Sequence, residues 1–469
     1  MPISRIEEMT PSGSRTIYDT DSPAAASPLD SARSLPRFSE EALALRFSAQ
    51  YVDKLRYVAG WGKWLRWDGI RWEEDDTLEV FDLARAICRD AAAECELDRP
   101  GAAPKLAAAN TVAAVERLAR ADRRHAATVE QWDADPWLIN TPTCAVGLRT
   151  GEEHPHELGD YLTKLAGAGL AGESSECPIW LDFLSRVTGE NVELQEFLQR
   201  VVGYCLTGSV RENSLFFLYG TGANGKTVFL STVSAMLGDY AKTAAISTFL
   251  ATGNEQHPTD LAGLRGARLV TAIETEDGRR WAEAKIKALT GGDRISARFM
   301  RQDFFEYTPQ FKLLIAGNHK PGLRNVDEAI RRRLHLIPFN VTIPAAERDK
   351  SLGEKLRAEW PAILRWAVEG CLEWQRQGLN PPPIVLDATA EYLDAEDRLG
   401  QWIEDCCEVG RTHSATASDL YKSWTRWCES AGEKPGSQKR FSQNLESHGF
   451  IRNRTNRSRL YEGLATISA

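Results

Sequence analysis

The residues with the clearest capacity for chemistry form the segment GTGANGKT, at positions 220–227. Gly220 and Gly225 are separated by four residues and are followed by Lys226 and Thr227, which fits the pattern of a loop that holds nucleotide phosphates. In such a loop, backbone N–H groups and the Lys ammonium face the phosphates, and the Thr hydroxyl binds Mg²⁺. The predicted ligands are ATP and Mg²⁺, and the predicted ATP-binding residues are Gly220, Thr221, Gly222, Ala223, Asn224, Gly225, Lys226 and Thr227. The alternative is a glycine-rich turn followed by a chance Lys-Thr pair.

The segments around this loop predict a strand before it and a helix after it. Residues 215–219 form an apolar run of strand type, and residues 228–237 carry apolar side chains at helical spacing. From 214 to about 345, short apolar runs alternate with helical segments. This alternation is typical of an α/β layer with a mostly parallel sheet.

ATP hydrolysis also requires carboxylates that hold the metal and polarise the attacking water. Glu274 and Glu276 follow a strand-like run at 268–273, which places them at the carboxyl end of a strand. We assign Glu274, together with Thr227, to the metal and Glu276 to activation of the water, although the two glutamates could exchange roles. The alternative is an ordinary acidic loop.

Two further groups downstream fit a nucleotide site. Asn318 ends a third apolar run, 311–317, where its amide could orient the water or contact the γ-phosphate. Residues 331–333 are all Arg and precede another strand-like run. An Arg triplet is usually a solvated face, but beside an ATPase core Arg332 or Arg333 could serve as an arginine finger for the nucleotide of a neighbouring subunit. The active form would then be a ring.

These ordered segments together resemble the superfamily 3 helicases, and within them the phage and plasmid primase-helicase family related to the poxvirus-type enzymes. The resemblance rests on five segments in the order of the family: GTGANGKT, RLVTAIETEDG, KALTGGDRISAR, FKLLIAGNHKP and DEAIRRRLHLIPF. It implies an AAA+-like P-loop ATPase fold, a hexameric ring and 3′-to-5′ movement on single-stranded DNA. It also implies that Lys226 and Thr227 are Walker A, Glu274 and Glu276 Walker B, Lys287 the additional helicase motif and Asn318 sensor 1.

The resemblance extends in weaker form to the region before the ATPase and covers about residues 50–345. Six parts are predicted: a disordered segment at 1–38, a mixed helical and strand domain at 39–172, a helical lead-in at 173–213, the ATPase core at 214–345, a helical lid with a Pro-rich linker at 346–385, and a winged-helix module at 386–469. Many relatives carry a primase module in front of this region. Only about 40 residues of low complexity stand there in this sequence, so we expect no primase activity from this chain, and a separate primase is a candidate partner.

A basic segment between the additional motif and Asn318 is expected to contact single-stranded DNA. In this family a β-hairpin at this place projects into the channel of the ring. Arg294, Arg298 and Arg301 lie here among apolar and aromatic residues, a combination suited to phosphates and stacked bases. We place Arg301 at or near the tip, and we assign Lys287, Arg298 and Arg301 to DNA. The alternative is that the aromatics are core and the arginines solvated.

The last part of the chain carries a local positive charge. Residues 411–469 contain ten Lys or Arg against five acids, a net charge of +5, whereas the whole chain has −9. Two helices followed by a hairpin with a basic tip fit a winged helix-turn-helix that binds duplex DNA. The assigned contacts are Lys439 and Arg440 on the second helix, together with Ser437, Gln438 and Gln443, and Arg454 and Arg457 on the hairpin. A basic helical cap for protein contacts is the alternative.

Composition excludes several other classes. The chain has 469 residues, of which 42% are hydrophobic and 26% charged, as expected for a globular protein of about three domains. Its nine cysteines include no C-x-x-C pair, so we expect reduced thiols. No apolar stretch has the length of a membrane span and the N-terminus lacks a signal sequence, which favours the cytoplasm of a bacterial host cell and no membrane contact.

The function predicted from these observations is an ATP-dependent replicative DNA helicase of a phage or other mobile element. The alternative is an ATP-regulated, origin-binding initiator or scaffold that does not itself unwind DNA. A small-molecule P-loop kinase is disfavoured, because the basic hairpin and the Arg triplet would have no use in it.

Overall fold

A computed structural model describes residues 35–98, 100–251, 259–274, 278–301, 303–323, 326–432, 434–454 and 459–467. Within these ranges the chain forms two compact units. The first unit comprises residues 35–68 and 73–129, and the second comprises residues 69–72 and 130–467. The predicted disordered segment 1–38 lies outside the described residues except for its last four positions.

The first unit combines helices with a small sheet. Its elements are α1 (Glu40–Tyr51), β1 (Leu55–Val58), β2 (Lys63–Trp67), β3 (Trp72–Glu74), α2 (Glu79–Asp98), α3 (Ala103–Leu106), α4 (Ala109–Ala119) and β4 (Ala126–Ala127). The strand order is β3-β2-β1-β4. Phe47, Trp64, Ile87 and Val115 are buried together in its core. The unit therefore has the mixture of helices and strands that is predicted for the region before the ATPase core.

The second unit is built on helices and four sheets. Its elements before the parallel sheet are β5 (Leu138–Asn140), β6 (Ala145–Gly147), β7 (Glu152–His154), α5 (Pro178–Val187) and α6 (Val192–Leu206). The sheet region contains β8 (Leu215–Tyr219), α7 (Lys226–Leu237), β9 (Ala241–Thr243), α8 (Thr259–Ala262), β10 (Leu269–Glu274), α9 (Glu283–Gly291), β11 (Ile295–Ala297), β12 (Phe305–Tyr307), β13 (Lys312–Gly317), α10 (Glu328–Arg331) and β14 (Leu334–Pro338). The remaining elements are α11 (Leu352–Gln377), α12 (Pro383–Glu396), α13 (Arg398–Cys406), β15 (Cys407–Thr416), α14 (Ala417–Ser430), α15 (Gln438–Ser447), β16 (Ile451–Arg454) and β17 (Arg459–Thr466).

A five-stranded parallel sheet with the order β14-β8-β13-β10-β9 organises this unit. Side chains of successive strand residues point to opposite faces, so each strand contributes to two cores. In β13, Leu314 and Ala316 join a cluster with α5, α6, α7 and α11, whereas Leu313 and Ile315 join a second cluster with α9 and α12. The predicted α/β layer with a mostly parallel sheet is confirmed.

The helical lead-in packs as its sequence pattern predicts. The apolar faces of α5 and α6 are buried. They carry apolar residues at helical spacing: Trp180, Phe183, Leu184 and Val187 on α5 and Leu194, Phe197, Leu198, Val201 and Val202 on α6. Pro178 is the first residue of α5. A backbone N–H at this position would have no partner within the helix, so its absence in proline does not destabilise the helix. The Asn191 side chain caps α6 by accepting a hydrogen bond of 2.9 Å from the Leu194 amide.

The segment between α11 and α12 is anchored, although its composition suggests a linker. The Arg200 guanidinium donates hydrogen bonds to the backbone carbonyls of Leu379 (2.9 Å) and Asn380 (3.1 Å). Helix α12 then packs on β14, and the Thr389 hydroxyl accepts a hydrogen bond of 3.0 Å from the Leu336 amide. Residues 388, 392 and 393, which the predicted boundary at 386 assigns to the last module, therefore belong to the core around the sheet.

The end of the chain has its own small core. Strands β15, β17 and β16 form an antiparallel sheet in that order, and α13, α14 and α15 pack against it. Trp402, Leu420, Phe441 and Tyr461 are buried between them. The predicted succession of helix, helix and hairpin is present. None of the helices in the described ranges is long and apolar enough to cross a membrane.

Two buried cations hold the end of α6 against the sheet. The Lys312 ammonium donates hydrogen bonds to the carbonyls of Thr207, Ser209 and Gln310, and Arg268 donates to the carbonyl of Leu206 at 2.7 Å. The last carbonyls of a helix lack partners inside the helix and carry partial negative charge, which explains the two cations. Burial lowers the pKa of Lys312 from its usual 10.5 to about 7.

Replacing Lys312 with Met should change how stability depends on pH. Between pH 7 and pH 10 the unfolded chain binds more protons at Lys312 than the folded chain, because only the folded pKa is depressed. The free energy of unfolding of the natural chain should therefore rise relative to the variant by about 2 kcal/mol from pH 7 to pH 9. Urea unfolding at both pH values measures this difference. Lys350→Met, at an exposed lysine, is the control, and identical pH slopes for all three proteins would contradict the assignment.

Candidate functional site

The segment 220–225 forms the loop between β8 and α7, and it needs glycine at its first position. Gly220 has φ 154°, and a Cβ there would lie 2.2 Å from the Phe339 carbonyl oxygen. Gly222 and Gly225 have φ values of 99° and 86°, in the left-handed region that glycine adopts without strain. The loop borders a cleft of about 350 Å³. Its lining consists of residues 222–228 together with Ile273, Ala316, Gly317 and Asn318.

Lys226 is the buried cation of this cleft. Its residue exposure is 6%, and its Nζ donates hydrogen bonds to the Gly220 carbonyl (2.8 Å), the Asn224 side-chain oxygen (3.0 Å) and the Asn318 side-chain oxygen (3.3 Å). Burial lowers the pKa of the Lys226 ammonium, since the charged form loses solvation. All three partners are neutral oxygens. The positive charge is therefore hydrogen-bonded but not balanced by these partners, which suits an incoming anion.

Asn224 connects Lys226 to the sheet. The residue is 3% exposed, and its Nδ2 donates a hydrogen bond of 2.7 Å to the Phe339 carbonyl while its Oδ1 accepts from Lys226. The Ile343 amide also donates to the Ala223 carbonyl at 2.8 Å. The sequence assigned Asn224 to the loop but carried no signal for this bridge, because Phe339 is 115 residues away in the chain.

The sheet register brings the other predicted groups to the same edge. Tyr219 is paired with Gly317, and Gly317 is paired with Glu274, so β8, β13 and β10 end level with one another. Asn318, directly after β13, reaches Lys226 and lines the cleft. Thr227 lies exposed in the first turn of α7 and also lines it. The backbone of Glu274 lies at this edge, and Glu276 lies outside the described residues.

The Arg triplet lies at the opposite edge of the same sheet. Arg333 precedes β14, and its carbonyl accepts a hydrogen bond of 2.7 Å from the Leu215 amide at the start of β8. Because β14 is five residues long, about 17 Å of strand separates the triplet from the cleft. The structure therefore does not bring Arg332 and Arg333 into the cleft of their own chain.

The three arginines have different surroundings. Arg331 pairs with Asp394 (3.5 Å) and Asp397 (3.3 Å). Arg333 is 7% exposed and donates hydrogen bonds to the Thr290 hydroxyl (3.2 Å) and the Ala329 carbonyl (2.8 Å). Arg332 is exposed, and among the described residues no hydrogen bond or ion pair involves its guanidinium. Arg332 is thus the member of the triplet that is available to an external group.

Strands β11 and β12 form the antiparallel hairpin that the basic segment predicts. Arg301 is the fourth of the seven residues between the strands and has a positive φ of 62°, which places it at the tip. Phe299, Met300 and Phe304 are exposed around it, and the Arg298 guanidinium lies 4.7 Å from the centre of the Phe304 ring. The alternative that Phe299 and Phe304 are core residues is therefore excluded, and the tip presents cationic and apolar groups together.

Lys287 is engaged within the chain. Its ammonium forms an ion pair with Asp327, and the same carboxylate caps α10 by accepting a hydrogen bond of 3.0 Å from the Ile330 amide. Contact of Lys287 with DNA would require this ion pair to break. No sequence signal marked Asp327 as its partner, because the two residues are 40 positions apart.

Helix α15 presents the predicted contact residues to solvent. Phe441 and Leu445 hold the helix in the small core, whereas Gln438, Lys439, Arg440 and Gln443 are exposed. Ser437 caps the helix, and its hydroxyl accepts a hydrogen bond of 3.3 Å from the Arg440 amide. Arg454 is the last residue of β16, paired in register with Arg459, and Arg457 lies outside the described residues.

Two family models match the chain. Residues 44–189 match the family described as D5 N terminal like, and residues 218–333 match a family of unknown function. The first match covers the region before the cleft, and the second covers the loop, the hairpin and the Arg triplet. In fold, the chain resembles two apo structures of the NrS-1 C terminal region, each 7% identical in sequence. The first has a TM-score of 0.51 and covers 90% of this chain and 99% of its own, and the second has a TM-score of 0.50 and covers 91% of this chain and 100% of its own.

Viral proteins are similar in sequence. A putative helicase of Acanthamoeba polyphaga mimivirus is 27% identical over 53% of this chain, and a putative helicase of Frog virus 3 is 27% identical over 52%. The chain spans 28% and 27% of the length of these relatives. Primase D5 of Fowlpox virus is 28% identical over 34% of this chain and 20% of its own length. With the D5 N terminal like match, these similarities show that the chain is a relative of the D5-type primase-helicase family.

Proposed function

We propose that this chain is the ATP-driven motor of a DNA helicase that acts in replication. The observation that carries the proposal is the buried Lys226 ammonium, whose hydrogen-bond partners among the described residues are neutral oxygens, in a cleft at the carboxyl edge of a parallel sheet. Ligands of open parallel sheets bind outside this edge, and the preceding loop directs backbone N–H groups to the same place. The names of the viral relatives support the helicase assignment.

In this proposal the cleft holds ATP with Mg²⁺. The triphosphate takes the place of the Asn224 and Asn318 oxygens as the partner of Lys226, and Asn318 turns to the attacking water or the γ-phosphate. The Thr227 hydroxyl and Glu274 hold Mg²⁺, which neutralises charge on the phosphates, and Glu276 activates the water. Within the described ranges no group of three His, Cys, Asp or Glu residues could hold a metal ion. Mg²⁺ takes one or two protein ligands and completes its shell with phosphates and water, so Thr227 and Glu274 would suffice to hold it.

The arginine finger acts between subunits in this proposal. Since β14 separates the triplet from the cleft of its own chain, an Arg at this edge can reach only the nucleotide of another copy. Arg332 is the exposed member, so we assign the finger to Arg332 and the support of β14 to Arg333. The assembly is a ring of the superfamily 3 type, with the hexamer that the resemblance implies.

DNA contacts fall into two places. The hairpin tip, with Arg298 and Arg301 beside exposed aromatics, tracks a single strand through the ring in the 3′-to-5′ direction. The C-terminal module has the order helix, strand, helix, helix and two-stranded hairpin, which is that of a winged helix, and α15 presents Lys439 and Arg440 to duplex DNA. We place the protein in the replication of a phage or other mobile element, in the cytoplasm of a bacterial host, alongside a separate primase.

A second candidate function is an ATP-regulated initiator that marks an origin without unwinding it. The exposed basic face of α15 and the net charge of +5 over residues 411–469 favour duplex binding in either case. The two functions differ in strand displacement, which a helicase performs and an initiator of this kind does not.

Strand displacement on forked DNA is the central test. The natural chain should hydrolyse ATP faster when single-stranded DNA is added and should displace a strand with a 3′ loading tail. Lys226→Ala should lower hydrolysis by about two orders of magnitude or more, because the charge that stabilises the transferred phosphoryl group is lost. Lys242→Ala, at an exposed lysine of β9, is the matched control. Hydrolysis by Lys226→Ala at the natural rate would refute the site, and hydrolysis without displacement on any fork would favour the initiator.

Gly220→Ala tests the loop geometry. The added Cβ meets the Phe339 carbonyl and should lower the free energy of unfolding by about 1–3 kcal/mol and weaken ATP binding. Gly222→Ala is the control, because its φ of 99° is also unfavourable for Ala but no atom lies within 4 Å of the added Cβ. Urea unfolding and binding of a fluorescent ATP analogue measure both effects. If both variants lost the same amount of stability and of affinity for the ATP analogue, the close approach of Gly220 to Phe339 would be unimportant.

Mixing of variants tests the shared site. Arg332→Ala should bind ATP normally but hydrolyse it about a thousandfold more slowly, since a finger stabilises charge only in the transition state. Mixed with Lys226→Ala, it should recover part of the activity, because some interfaces then pair an intact cleft with an intact Arg332. Arg333→Ala should in addition lower the melting temperature, since it loses buried hydrogen bonds. Natural activity of Arg332→Ala alone would disprove its role.

A further inference from the structure

A second cavity lies between the sheet region and the C-terminal module. Its volume is about 460 Å³, larger than that of the cleft beside Lys226. Arg280, from the segment that follows β10, lines one side. Lys434, Arg440 and Asn444 line the side formed by the module. Residues from two parts of the fold that are distant in sequence thus converge on one space, and three of these four carry a positive charge.

The acidic residues of the cavity are already occupied by partners within the chain. Glu396 accepts a hydrogen bond of 2.7 Å from the Leu323 amide. Asp397 accepts from the Gly400 amide (3.0 Å) and His448 (3.1 Å) and pairs with Arg331. Asp397 is therefore paired with Arg331, whereas Glu396 is held by a backbone amide, and among the described residues neither carboxylate forms an ion pair with Arg280, Lys434 or Arg440.

Three of the cations that line the cavity have no such partner among the described residues. Arg280, Lys434 and Arg440 are exposed, and none of the hydrogen bonds or ion pairs among the described residues involves their side chains. Like charges around one cavity repel one another, and an anion between them removes this repulsion. Arginine and lysine together are the residues that proteins use to contact phosphates.

The cavity is continuous with the exposed face of α15. Arg440 and Asn444 are one helical turn apart and both line it, while Lys439 and Gln443 form the neighbouring exposed stripe of the same helix. A DNA backbone that passes over Lys439 would therefore continue to the cavity, where Arg280 lies on the other wall. The loop before α15 is fixed at this place, since the Trp424 indole donates a hydrogen bond of 2.8 Å to the Pro435 carbonyl.

We propose that this cavity binds the sugar-phosphate backbone of duplex DNA, with Arg280 contributing a contact from the motor to DNA held by the C-terminal module. This inference rests on the proposed function, because it requires α15 to bind duplex DNA. It adds a contact with the same duplex from Arg280, which lies outside the C-terminal module. It also gives the motor a direct contact with the duplex, in addition to the single strand at the hairpin tip.

Duplex affinity as a function of salt tests this proposal. A labelled duplex of about 30 base pairs is titrated with the full chain and followed by fluorescence anisotropy. Arg280→Gln should weaken binding about three- to tenfold and reduce the slope of log K against log salt by about one, as expected for one lost phosphate contact. Arg117→Gln, at an exposed arginine of the first unit, removes the same charge away from the cavity and should have no effect. ATP hydrolysis in the absence of DNA should be unchanged in both variants.

The outcomes separate this inference from the proposed function. If Lys439→Gln weakens duplex binding but Arg280→Gln behaves like Arg117→Gln, the cavity proposal is wrong and the helicase proposal stands. If Arg280→Gln weakens duplex binding in a chain that hydrolyses no ATP, the cavity proposal stands and the motor assignment is wrong. If Arg280→Gln weakened the binding of single-stranded DNA but not of duplex DNA, the assignment of the cavity to duplex DNA would be wrong.

Discussion

The parallel register of β8 with β13 and β14 is the constraint on which the rest of the candidate site depends. It places Gly220, Asn318 and Phe339 directly after three adjacent strands, and therefore within hydrogen-bonding reach of Lys226 and Asn224. The same register places the Arg triplet at the start of β14, at the far edge. One sheet thus defines both the cleft beside Lys226 and the distance that separates this cleft from the Arg triplet of the same chain.

Strand β14 connects the two edges. At its carboxyl end the Phe339 carbonyl accepts from Asn224, which also holds the Lys226 ammonium. At its amino end Arg333 is tied to Thr290, and Arg331 pairs with Asp397, which in turn accepts from His448 at the end of α15. Strand β14 thus connects the surroundings of the Arg triplet with the cleft at its other end and, through Asp397, with the C-terminal module.

Buried positive charge is a recurring device in the second unit, and its role depends on the partners. Lys312 and Arg268 are held by backbone carbonyls, among them those of Leu206 and Thr207 at the end of α6, and their role is structural. Lys226 is held by a loop carbonyl and two side-chain amides that can rotate away. Similar burial therefore stabilises the fold in one place, and in the other it leaves a cation whose side-chain amide partners can be exchanged, as the proposed anion site requires.

The family resemblance predicted the hairpin with Arg301 at or near its tip. The sequence pattern by itself determined the other local features: the loop between a strand and a helix, the buried faces of α5 and α6, and the exposed Lys439 and Arg440. These follow from periodicity and spacing within about 20 residues, which local backbone geometry converts directly into structure. The bridge from Asn224 to Phe339, the ion pair of Lys287 with Asp327, the packing of α12 on the sheet and the separation of Arg332 from its own cleft depend on contacts between distant segments. Only the tertiary structure decided these, because strand order and register set which distant residues meet, and no local pattern encodes them.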